Sequence, residues 1–184
     1  MFRSLIAVTL LAAPMAATSQ TGNGGRWGLA GFPGGCMVHA TSPQGTVLSI
    51  WGFAGQENLG ILVQNRQWHA LREGERHNLK VAFDRNHSWP VRATARRDID
   101  ADGPGLFFTV KPGSRSDQAG FFEAFAAARG MDISREGRRV DRLPLAGSRE
   151  AMFALANCMG ALWQGMAAAS ANEEETAAPA GPTI

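Results

Sequence analysis

The chain has no tyrosine, only two cysteines, and only two lysines among its eighteen basic residues. Two cysteines are too few for a zinc site built on thiolates alone. The one nearby histidine spacing, Cys36-x-x-His39, has no counterpart around Cys158. Charge of one sign is scarce as well: between Arg26 and Met166 there are 17 basic and 13 acidic residues, a balance of +4. A nucleic-acid binder would carry a denser basic stripe, so nucleic acid is not an expected partner. Long apolar runs are lacking too. The one sustained run, Leu5 to Ala17, falls short of the roughly 20 residues a membrane-spanning helix needs, so no span is expected in the mature form.

Signatures of common chemistries are missing in the same way. No HExxH is present. "AGSRE" and "PGSRS" lack the second glycine of a nucleophile elbow, and "GGRWGLAGFPGG" leads into neither a Lys-Ser/Thr pair nor a helix signal. No catalytic residue is assigned from sequence.

What is present begins with an address. "MFRSLIAVTLLAAPMAATSQ" places Arg3 before the apolar run and small residues after it, the layout of a secretory signal peptide over residues 1–19, with cleavage after Ala17-Thr18-Ser19. The expected location is periplasmic or secreted. Residues 26–166 are expected to form one domain. Residues 167–184, small, acidic and proline-containing, read as a disordered tail.

Within the domain, short β-branched and aromatic runs alternate with turn residues. Strands are predicted over Cys36–Thr41, Thr46–Phe53, Leu59–Asn65, His77–Phe83, Trp89–Arg96 and Gly105–Lys111. "SDQAGFFEAFAAARG" then sets Phe121, Phe122, Phe125 and Ala128 on one helical face, with Ser116 or Asp117 as cap. "MDISREGRRVDRLPL" reads as two strands around Glu136-Gly137. Ser148 is expected to cap a last helix whose Ala151, Leu155, Cys158, Met159 and Leu162 recur at helical spacing. Strands first and helices late predict an α+β domain: a mostly antiparallel meander with two helices packed on one face.

Cys36 and Cys158 sit at opposite ends of this domain. In an exported chain an even count favours a disulfide between them, against free buried thiols or reactive chemistry. Closing a loop of about 120 residues would stabilise the fold by up to about 5 kcal/mol.

Asp98, Asp100 and Asp102 followed by Gly103 match the first half of a calcium loop. Thr109 stands where the bidentate glutamate belongs, so an acidic hairpin loop is the competing reading. Calcium is the only cofactor the sequence suggests. Asp84, His77 and His87, with the Asp98 loop, are the groups a hydrolase would have to assemble. Arg135, Arg138, Arg139 and Arg142 on the late hairpin are a candidate anion patch, against a plain solvated face. Trp27, Trp51, Trp68 and Trp89 read chiefly as core or strand-edge packing, with a binding face as the alternative.

The segments "WHALREGERHNLKVAFDRNHSW" and "REGRRVDRLPLAGSREAMFALANC" resemble small exported proteobacterial proteins, mostly without assigned activity. "LPLAGSREAMFAL" is loosely similar to the end of invasion-associated locus B proteins. The resemblance implies export and a structural framework; it transfers no catalytic residue. The leading expectation is a non-enzymatic binding or accessory protein that uses the sheet face opposite the helices to contact an envelope component or another protein. An envelope hydrolase and a calcium-stabilised structural module are the alternatives.

Overall fold

The computed structural model describes residues 27–84, 87–97, 102–112 and 120–176, with side chains to residue 166. In chain order the elements are β1 (Trp27–Phe32), β2 (Gly35–Thr41), β3 (Val47–Phe53), β4 (Leu59–Gln64), β5 (Arg76–Phe83), β6 (His87–Arg96), β7 (Gly105–Val110), α1 (Phe121–Ala127), β8 (Gly130–Arg135), β9 (Arg138–Pro144) and α2 (Ser148–Thr176).

The strands form one antiparallel sheet in the order β1-β2-β3-β4-β7-β6-β5-β8-β9. A single meander was the expectation; the sheet instead joins two. β1 to β4 run in sequence, β4 then pairs with β7, and β7-β6-β5 return in reverse before the β8–β9 hairpin completes the row. β1 is an addition to the expected strands. Its glycines, in Trp27-Gly-Leu-Ala-Gly-Phe32, hide the β pattern, and Pro33 with Gly34 (φ 78°) turns the chain into β2.

The sheet is curled into a half-barrel. Trp27 Nε1 on the first strand donates to Ala146 O, just beyond the last, at 3.0 Å. Alternation decides what lies inside. On β5 and β6 buried and exposed residues alternate cleanly, with Leu79, Val81 and Phe83 turned inward beside Trp89, Val91 and Ala93. The inward residues of β2, β3, β4 and β7 add Val38, Leu48, Ile50, Ile61, Val63, Leu106 and Phe108 to the same core.

Helix α1 plugs this core. Phe121 packs edge-on against Phe83 and Trp89, with ring centroids at 5.0 and 5.6 Å, and Phe125 lies 5.9 Å from Phe83. Each such buried phenylalanine contributes about 1.5–3 kcal/mol. Ala128, expected on the helical face, is already extended, so the helix spans only Phe121–Ala127. Ser116 and Asp117, the expected caps, lie outside the described residues. Gly120, left-handed at φ 74°, occupies the cap position without a side-chain hydrogen bond.

Helix α2 lies across β1, β2 and β3 through Ala151, Leu155 and Met159. Ser148 does not cap it as expected. Its Oγ donates to Phe125 O at 3.0 Å and so ties the two helices together, while Ala151 N bonds Gly147 O in the first turn. The helix runs on to Thr176, ten residues into the segment expected as a tail; alanine-rich sequence favours that continuation. Residues 177–184 lie outside the described part.

Cys36 and Cys158 are bonded, with Cα atoms 6.2 Å apart and a sequence separation of 122. The bond fixes α2 to β2 in the core, where Cys36 is fully buried.

Candidate functional site

The groups a hydrolase would need do not converge. His77 is the second residue of β5 and Asp84 follows its last, a separation of about 23 Å at strand rise. His87 sits beside Asp84's end of the sheet, opposite Phe83 and near Trp89. Each has a structural occupation. Asp84, held at φ 46°, accepts from Arg129 N at 2.9 Å and Gly130 N at 3.0 Å, which sets the start of β8. His77 is buried, with Arg135 Nη1 3.0 Å from its Nδ1 and Glu75 Oε1 3.7 Å from its Nε2.

Of the calcium candidates, Asp98 and Asp100 lie outside the described residues. Asp102 faces Arg66 at 3.9 Å. Among the described residues no three His, Cys, Asp or Glu side chains are gathered.

The four hairpin arginines do not share a face. A register shift between Ile133 and Ser134 places Arg135 opposite Arg138, and Arg139 opposite Ser134. Arg139 Nε pairs with Asp132 Oδ1 at 2.9 Å on the outer side, in the same row as Arg142. Arg135 turns inward to His77. Around the hairpin tip Arg135, Arg138, Arg139 and Val140 border an open hollow of about 410 Å³, to which Glu136 contributes a carboxylate.

A different surface stands out on the outside of the sheet. The strands β3, β4 and β7 do not alternate. β3 and β4 are buried on both faces over most of their length, as in sheets covered on two sides. Among the described residues, however, no helix or strand packs on the outer face of β1, β2, β3, β4 and β7. Register gives its rows. One runs Phe32, Gly35, Phe53; the next Ala30, Met37, Trp51, Gly60, Thr109; the third Gly28, His39, Ser49, Leu62, Phe107. No Asp, Glu, Lys or Arg stands in any of the three. The outer faces of β5 and β6, by contrast, carry Asn78, Lys80, Arg92 and Arg96.

Glycines let the rings of this face lie down on neighbouring strands. A Cβ on Gly35 would meet the Phe32 ring at 2.4 Å, one on Gly28 the His39 ring at 2.5 Å, and one on Gly60 the Phe107 ring at 2.9 Å. Trp51 and Phe107 sit side by side with centroids 6.1 Å apart and planes only 30° from parallel. Phe32 and Phe53 form a second pair at 5.5 Å. His39 Nδ1 and Trp51 Nε1 are shielded polar atoms without a hydrogen-bond partner here.

Of the four tryptophans weighed in the sequence, Trp89 is core, Trp27 and Trp68 pack against it, and Trp51 belongs to the outer face. Its companions Phe53 and Phe107 were legible only through the unbroken apolar runs "TVLSIWGF" and "GLFFTV", which one buried face does not require, and Phe32 and Met37 carried no such signal. No protein-family model, no curated protein and no solved structure matches this chain.

Proposed function

We propose that this is an exported, non-enzymatic binding protein that attaches to a component of the cell envelope through the outer face of β1–β4 and β7. The observation that carries the reading is the uncharged aromatic surface around Trp51, Met37, Phe53 and Phe107, on strands whose sequences read as covered on both sides. Contiguous apolar surface of this kind marks interaction sites.

Export is supported by the apolar leader with its small-residue end and by the disulfide, which is at home in an oxidising compartment. The resemblance to exported proteobacterial proteins, loosely to those of invasion-associated locus B, points the same way. The separation of His77 from Asp84 and His87 favours binding over hydrolysis. No helix among the described residues is long and apolar enough to cross a membrane, which suits attachment from one side.

The test is sedimentation of the oxidised full chain with an envelope fraction of membranes and cell wall. The wild type is expected in the pellet and Trp51→Asp in the supernatant, with Arg138→Ala behaving as wild type. A wild-type protein that stays in solution, or a Trp51→Asp variant that pellets equally well, would overturn the reading.

A further inference from the structure

We infer that the component bound by this face is a neutral polysaccharide of the envelope, an inference that rests on the binding role proposed above. Three features of the face select that chemistry. First, charge is absent from the three central rows, so neither an anionic lipid nor an acidic peptide finds a counter-ion there. Second, the aromatic rings lie along the sheet instead of standing away from it. The Phe107 and Phe32 rings rest where Gly60 and Gly35 leave room, and Trp51 is tilted only 30° from Phe107. A pyranose ring presents a face of C–H bonds with partial positive charge, which the negative faces of aromatic rings attract. Third, a hydroxyl side chain sits among the rings: exposed Thr109, beside Gly60, with Trp51 on the strand beyond.

Shape and size decide against other occupants. The outside of a curled sheet encloses nothing, whereas small-molecule sites are concave. A polymer lying on the surface needs no enclosure. Thirteen outward positions, each covering about 4.8 by 6.7 Å of sheet, give roughly 400 Å². A stable complex between two protein copies buries about 800 Å² on each. The face is therefore small for a second copy and adequate for a few sugar rings in line.

The experiment uses the oxidised full chain with two insoluble probes: chitin, a neutral polymer of N-acetylglucosamine, and microcrystalline cellulose, a neutral polymer of glucose. The wild type is expected to pellet with both, and to do so equally at 0.1 and 1 M NaCl, because no ion pairs are involved. The double variant Trp51→Ala/Phe107→Ala is expected to bind at least tenfold more weakly. Phe53→Ser, at a position already 37 % exposed, provides a variant that does not disturb the core and should weaken binding several-fold. Failure of the wild type to pellet with either probe would overturn the inference, as would binding that salt abolishes or that the aromatic variants leave unchanged. If the envelope fraction still captures the wild type through Trp51 while both glycans fail, the polysaccharide assignment falls and the binding role stands. If the envelope fraction fails as well, both fall.

Discussion

Thr46 Oγ1 donates to Asp141 Oδ2 across 95 residues of chain, and Asn65 Nδ2 donates to the same Thr46 oxygen at 2.7 Å. Thr46 immediately precedes β3 and Asp141 lies on β9, so the contact laces the first meander to the last hairpin. Thr46 is fully buried and Asn65 nearly so. Thr46→Val keeps the shape but strands a carboxylate and an amide, at a cost of about 1–3 kcal/mol. Urea denaturation should show that loss with an unchanged slope; a loss well under about 0.5 kcal/mol would mean meander and hairpin are held by packing alone.

The disulfide ties the same fold from the helix side. Cys158→Ser should lower stability by about 3–5 kcal/mol, because the unfolded chain regains the freedom of a loop more than a hundred residues long. Adding reductant to the wild type should reproduce the effect. Equal denaturant midpoints for oxidised and reduced protein would show that Ala151 and Leu155 alone hold α2 in place.

Asp84 combines two roles, a left-handed backbone and two accepted backbone hydrogen bonds. Asp84→Ala loses both and should cost about 2–3 kcal/mol, since bonds to a charged acceptor count more than neutral ones. Asp84→Asn keeps one acceptor oxygen and tolerates the left-handed region, and should cost about half as much. Equal effects of the two changes in thermal or urea melts would exclude the carboxylate as the anchor.

Among the described residues, Glu57 gives the one pH signature. Its hydrogen bond to Lys111, and then the ammonium charge, hold its carboxyl below the ordinary value of 4.5. A carboxyl depressed in the folded state contributes stability above its unfolded value and loses it as pH falls through the folded one. The contribution thus disappears only below pH 4.5, and at this fully exposed pair salt should erase it. NMR titration at low ionic strength should find Glu57 below its ordinary value, and Lys111→Met should return it there.

How far these features were legible in the sequence depends on which force fixes them. Strand runs such as His77–Phe83 announce themselves because alternation is imposed by a sheet with one dry face. The Cys36–Cys158 bond was legible because the chain has only two cysteines, one at each end of the domain, which leaves few alternatives. β1 was not, because Gly28 and Gly31 carry no side chain to show a period. Nor was the pairing of β4 with β7, since non-local strand order depends on which edges meet after collapse. Ser148 looked like a cap from its position, yet Phe125 O offered its hydroxyl a buried partner, and tertiary contact prevailed over local rule. The outer face was visible only as an excess, apolar residues where alternation called for polar ones.

That excess leads to the last prediction, which separates binding from stability at Gly60. An alanine there would place its Cβ 2.9 Å from the Phe107 ring, too close for the ring to stay. The obstacle is the far end of a half-exposed side chain, so the ring can swing outward without moving the backbone. The cost to stability should then be under about 1 kcal/mol, below the usual range for overpacking a closed core. The pairing with Trp51 at 6.1 Å would nevertheless be lost. Gly60→Ala should therefore unfold at nearly the wild-type urea concentration while pelleting with envelope and chitin several-fold less well. A variant that binds normally would show that ligand does not depend on the paired rings. A variant that is strongly destabilised would show that the Phe107 ring cannot swing outward.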